Sequence, residues 1–288
     1  MAAIAKRLDT NVEGDFYVDD TCIDCGACRW IAPESFNREG SMSRVFAQPE
    51  SDAQSAACLR ALIACPTASI GAIEKHDMAS AARAFPYPFA ENVFFCGYTS
   101  ESSFGAASWL IQREAGNVLI DSPRFAGPLV KRIEEMGGID TLFLTHRDDI
   151  ADHAKFRERF GCERIIHADD GIRGMEREIT GVEAVQLDDE LTIIPTPGHT
   201  RGSACLLYRD EYLFTGDHLA WSLARGHLVG FRTACWYSWP KLIESMRSLL
   251  GYRFKHVVPG HGAPFSCATH EEMREAVEAC VEWCEEMA

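Results

Sequence analysis

The stretch THRDDIADH at 145–153 follows the apolar run TLFL and places His146, Asp148, Asp149, Asp152 and His153 within one short segment. Three later segments share its form. TPGHTRGS (196–203) follows LTII, FTGDH (214–218) continues YLF, and VPGHG (258–262) ends KHVVPGHG. Each delivers a histidine or aspartate at the end of an apolar strand, which is how a rigid sheet aims imidazoles and carboxylates into one cleft. A single histidine is more often a satisfied or exposed residue than a ligand. Four strand-end motifs together supply His146, Asp152, His153, His199, Asp217 and His261, enough donors for two metal ions sharing a carboxylate.

Working outward, apolar runs alternate with segments of helical spacing. VFFCGY, ASWLIQRE, NVLID, TLFLTH, RIIHA, LTIIPTP, ACLLYRD, YLFTGD and HVVPGHG read as strands. PLVKRIEEMG, ADHAKFRERFG, WPKLIESMRSLLG and EEMREAVEACVEWCEEM read as helices. Such alternation over about 200 residues implies an α/β protein with helices covering its sheets. The 288 residues allow one large domain or a large one with a small one. At 47% hydrophobic and 25% charged, the composition is that of a folded globular chain. The formal charge of −15, from 28 Lys+Arg against 43 Asp+Glu, opposes non-specific binding to nucleic acid or anionic membrane. No window reaches the roughly 18 apolar residues of a membrane span, and MAAIAKRLDT has no apolar signal core. The expected location is the cytoplasm, or an organelle stroma if a transit peptide has been removed.

Twelve cysteines in a chain read as intracellular point to ligation more than to disulfides. CIDCGAC places Cys22, Cys25 and Cys28 on one loop, and Cys65-Pro66 adds a remote fourth thiol. Three close thiolates can hold three corners of an iron–sulfur cube and a distant Cys-Pro the last. Zinc is the alternative for four thiolates, although a CxxCxxC run fits its paired hairpins poorly. MASAARAFPYPFA (78–90) ends in Pro86 and Pro88 and reads as an extended connector. The expected division is therefore 1–77, a linker at 78–90, and 91–288.

Residues 12–76 resemble a two-cluster bacterial-type ferredoxin that has kept one site. The C-x2-C-x2-C-x3-C-P run puts Ala32-Pro33 where the first motif's Cys-Pro belongs. Counting back from Cys65 puts Ser55, Cys58 and Ala61 at the other positions of the lost site. The resemblance implies one 4Fe-4S cluster on Cys22, Cys25, Cys28 and Cys65 in a ferredoxin-like α+β module, with Cys58 a leftover buried thiol.

Residues 91–288 resemble the metallo-β-lactamase superfamily, a four-layer αββα sandwich that includes hydroxyacylglutathione hydrolases, alkylsulfatases and flavodiiron proteins. The resemblance assigns His146 and His199 to a first metal, Asp152, His153 and His261 to a second, and Asp217 as the bridge. The usual first motif is His-x-His-x-Asp-His. Here two residues are inserted and the second histidine is absent. Asp148 stands two residues after His146, where that ligand belongs, and is preferred. Asp149 would share a face with Asp152 and His153 on a helix starting there, and either aspartate can instead cap the helix. A carboxylate in place of an imidazole lowers selectivity for zinc, so the two divalent ions are expected to be zinc or iron, with manganese a further candidate.

The resemblance implies a metal-dependent hydrolase in which a metal-bound hydroxide attacks an ester, thioester or phosphodiester, with Asp152 holding a metal and orienting the nucleophile. No GxSxG serine elbow occurs. The cluster is then structural or electron-transferring. The alternatives are a ferredoxin-coupled di-iron oxidoreductase acting on oxygen or nitric oxide, and a non-catalytic redox sensor. A small-molecule substrate and, for the cluster, a redox partner protein are the expected partners. The insertion HLAWSLARGHLVGFRTACWYSWP (218–240) reads either as an aromatic pocket wall with Arg232 or as packing under a long loop.

Overall fold

Ferredoxin-like topology emerges first along the chain. A computed structural model describes residues 2–287. Strand Phe16–Val18 pairs antiparallel with Ile70–Ala72, and the hairpin Phe36–Glu39/Met42–Val45 lies between helices Ala27–Ile31 and Asp52–Ala64 in sequence. Ser51 starts the second helix by accepting the Gln54 N–H, satisfying one donor of its open first turn. Phe16, Val18, Ala32, Phe36, Val45, Cys58, Ala61 and Ile70 form a core of their own. Ala32, Cys58 and Ala61, three of the four positions of the lost cluster site, belong to that core, so side-chain packing occupies their place.

By contact the chain forms two compact units, Met1–Asp140 with Ala151–Gly161, and Thr141–Ile150 with Cys162–Ala288. The 78–90 segment contains helix Met78–Arg83 and strand Tyr87–Ala90, which pairs with Val93–Phe95. Pro88 is tolerated there because the strand is an edge, where a missing N–H leaves no gap in a ladder. The first unit continues as an antiparallel meander through Val93–Phe95, Trp109–Ile111 and Val118–Ile120. It also contains helices Gly127–Glu135 and His153–Phe160.

In the second unit, Glu163–His167 pairs in parallel with Thr141–Phe143 on one side and Arg177–Ile179 on the other. A six-stranded sheet runs in the order Val185–Gln186, Leu191–Pro195, Ala204–Tyr208, Tyr212–Gly216, His256–Pro259, Phe265–Ser266. Its pairs are antiparallel except Tyr212–Gly216 with His256–Pro259. That exception carries Asp217 and His261 off the same end of neighbouring strands. Helices Trp239–Ser248 and His270–Glu286 bury Leu242, Met246, Val277 and Cys280 in one core with Leu207, Leu213 and Val257. Thr269 and Glu272 close the start of the last helix with a reciprocal capping box.

Candidate metal centres

The cysteine site assembles on two loops of the first unit. Cys22, Cys25, Cys28 and Cys65 line one small cavity with Val18, Ile23, Ser43, Thr67, Ser69 and Ile70. The Ser43 N–H points at Cys22 Sγ (3.4 Å) and the Ser69 N–H at Cys65 Sγ (3.3 Å). A neutral thiol accepts weakly, whereas thiolate sulfurs of a cluster are held by such donors. Burial pushes the Cys25 thiol up to about 12 and raises Cys28 as well. Four thiols sharing one cavity, two of them raised by burial and two with N–H groups aimed at their sulfurs, fit a group that binds thiolates and neutralises their charge.

Gly105 belongs to this site and no sequence motif marks it. A Cβ there would lie 2.7 Å from Cys25 Cβ and 2.9 Å from its Sγ, and its φ of 84° is itself unfavourable for a side chain. Gly105→Ala is expected to lower cluster occupancy, read as iron and sulfide per chain, while circular dichroism of the rest is retained. Full occupancy in that variant would show that the loop gives way freely.

The second centre is built from strand tips. His146 lies three residues beyond the end of strand Thr141–Phe143, and its Nδ1 shares a hydrogen bond with Thr145 Oγ1 (2.9 Å). That contact fixes the ring so that Nε2 faces carboxylates: Asp148 Oδ2 at 3.9 Å, Asp149 Oδ2 at 4.0 Å and Asp217 Oδ2 at 3.8 Å. His199 Nε2 bonds Asp148 Oδ2 (3.2 Å) and lies 3.7 Å from Asp217 Oδ2, with His261 Nε2 3.8 Å from the same oxygen. The backbone of His199 is pinned as well, since its carbonyl accepts from Trp236 N–H (2.9 Å) and Tyr237 N–H (3.0 Å).

Electrostatics decide what this cluster is for. His146, Asp149 and His199 are 1–2% exposed and Asp217 8%. Burial holds His146 down at about 4 despite the pull of Asp217, so the imidazole is neutral and keeps a lone pair. The His199 hydrogen bond keeps Asp148 below the usual carboxylate range. Buried carboxylates beside a neutral ring are costly without a cation between them. The His146 Nε2 and Asp217 Oδ1 atoms have no hydrogen-bond partner. Two ligands about 2.1 Å from one ion stand roughly 3.0–3.5 Å apart, a spacing within small side-chain rotations of the distances here. A Cβ on Gly260 would lie 2.8 Å from Asp149 Oδ2 and 3.0 Å from Asp217 Oδ1, so the glycine of VPGHG opens room for both carboxylates. The donor set fits a divalent cation.

The groups close enough to share an ion are His146–Asp148–His199 and His146–Asp149–Asp217. Both aspartates left open by the sequence thus approach His146. Asp152, His153 and His261 are in neither group; His261 approaches the site through Asp217 Oδ2. The helix starts at His153 and not at Asp149, so the shared face expected for Asp149, Asp152 and His153 does not form. The Asp152 carboxylate instead accepts the Phe125 N–H (2.8 Å) and pairs with Lys155 (2.8 Å). His218 is buried with neither ring nitrogen hydrogen-bonded, and burial pushes it down to about 3. In the aromatic insertion, Trp221 stacks on Phe265 at 4.1 Å and Trp239 is core, whereas Trp236 is exposed with its ring centroid 6.2 Å from His199.

Comparison with known proteins agrees with both halves. A family model described as the 4Fe-4S single cluster domain of Ferredoxin I matches residues 18–72. A hydroxyacylglutathione hydrolase of Rhizobium etli is 32% identical over 130 residues, 43% of this chain and 50% of that protein. The chain thus spans about half the length of the curated relatives it matches. Among solved structures, a metallo-β-lactamase from Erythrobacter litoralis superposes with a TM-score of 0.51 at 15% identity, covering 69% of this chain and 91% of that one. One from Pontibacter korlensis gives 0.50 at 18% identity, over 66% and 97%. No helix among the described residues is long and apolar enough to cross a membrane. Residues 18–72 thus resemble a single-cluster 4Fe-4S ferredoxin domain, and a large part of the chain shares the fold of solved metallo-β-lactamases.

Proposed function

We propose that the second centre is the active site of a metal-dependent hydrolase, with a thioester as the favoured substrate class. The observation that carries this reading is the convergence of His146, His199 and His261 on one oxygen of the buried Asp217. The printed name of the Rhizobium etli relative adds the substrate class, since a hydroxyacylglutathione is a thioester. A bound divalent cation would supply Lewis acidity, lowering the pKa of water and polarising a scissile carbonyl. The chain's own residues do the rest. Thr145 orients His146, and the neutral ring keeps its lone pair. Asp217 and Asp149 provide charge that attracts the cation, while Asp148, 40% exposed at its side chain, marks the open side of the site.

The ions proposed are held by His146, Asp148, Asp149, His199, Asp217 and His261. Three carboxylates among six donors favour a harder ion than an all-imidazole site would, so iron or manganese competes with zinc. That donor set also supports a second reading, a redox enzyme supplied with electrons by the cluster.

The test is thioester turnover by anaerobically purified protein with and without a chelator. Activity is expected to vanish on chelation, to return with added divalent metal, and not to depend on reductant. Turnover untouched by metal removal would refute the hydrolase reading. Oxygen or nitric oxide consumption that requires reductant, with iron in excess of the cluster, would replace it by the redox one.

A further inference from the structure

We infer that Asp170 is the positioning residue of the second metal centre, a buried carboxylate that straps two ligand-bearing turns together. The inference rests on the metal-centre reading above. Asp170 is 5% exposed. Its Oδ2 accepts the Arg147 N–H at 2.8 Å and the Thr200 hydroxyl at 3.0 Å, and its Oδ1 accepts the Gly202 N–H at 2.9 Å.

The placement of these three donors gives the carboxylate its role. Arg147 lies between His146 and Asp148. Thr200 follows His199, and Gly202 closes the same turn. One side chain thus fixes the backbone on both sides of the His199–Asp148 contact without touching either ligand. Its own anchorage is firm. Strand Glu163–His167 is paired on both sides and runs into the turn Ala168–Asp170. His167 opens that turn by accepting the Asp169 N–H (3.2 Å), and its other ring nitrogen bonds the Gly181 carbonyl (2.9 Å).

A carboxylate suits this place because all three partners donate. An asparagine would turn one of its ends into an NH2 group facing a backbone N–H or the Thr200 hydroxyl, and the strap would lose at least one bond. Loss of such a supporting partner typically weakens metal binding by about 10–100-fold.

Asp170→Asn and Thr200→Val test this in the full chain, with cobalt(II) affinity measured by chelator competition. Amide exchange at Arg147 and Gly202 is followed in protein whose second centre is metal-free. The expected result for Asp170→Asn is a loss of about 10–100-fold in affinity, an altered cobalt spectrum, and faster exchange at both amides. Thr200→Val, which removes one of the three bonds, is expected to lose several-fold. A folded Asp170→Asn with wild-type affinity and spectrum, and only a lower melting temperature, would reduce Asp170 to a stabilising role and overturn the inference. Should that variant not fold, unchanged affinity in Thr200→Val would do the same. Wild-type protein that binds no cobalt here would instead overturn the metal-centre reading, and this inference with it, even if the exchange data show the strap.

Discussion

Asp217→Ala is expected to abolish metal binding at the second centre and to lower thioester turnover by at least about 10³-fold, beyond the 10–100-fold usual for a supporting residue. The reason is its geometry. One Asp217 oxygen stands 3.7–3.8 Å from the Nε2 atoms of three histidines. Without it, the rings converge on a gap, and Asp149 is the remaining nearly fully buried carboxylate beside His146. Asp217→Asn keeps the volume and removes the charge, so it separates packing from attraction of a dication. Metal per chain and kcat/KM should fall together in both variants. Either variant retaining full metal and rate would mean that the reaction happens elsewhere.

A second large effect is expected at the cysteine loops. Cys65→Ala should eliminate the visible absorption and the iron of the cluster, because it is the ligand proposed outside the 22–28 run and the Ser69 N–H is already aimed at its sulfur. Cys58→Ala, by contrast, should leave cluster iron unchanged, since Cys58 is fully buried in the hydrophobic core and does not line the cavity. Iron and sulfide analysis of the two proteins after anaerobic reconstitution makes the comparison. A cluster retained in Cys65→Ala, or lost in Cys58→Ala, would exchange their roles.

Much of this was legible because strand tips announce themselves. The apolar runs before His146, His199, Asp217 and His261 all became strands, and the alternation of strands with helices gave the fold class. The CxxCxxC run with Cys65-Pro66 likewise carried the ferredoxin half, because ligand spacing is local. What sequence could not show depended on backbone path. The inserted residues in 145–153 form a short turn at Arg147–Asp149 before the helix. That turn sends Asp149 to His146 and leaves Asp152 with Phe125 and Lys155. Asp170 carries no motif, since its partners are backbone groups 23 and 32 residues away and a hydroxyl 30 away. The strand at Tyr87–Ala90 was hidden by its proline, a residue that argues against a strand until its edge position is known.

The packing of Ala32, Cys58 and Ala61 has a consequence for how the small lobe matures. Where a twin-site ferredoxin would need a second inorganic cube to fill its interior, this lobe has hydrocarbon and one inert thiol. The interior at the lost site is therefore filled by side chains rather than by an inorganic group. Loading then falls to the 22–28 loop and Cys65, at one site.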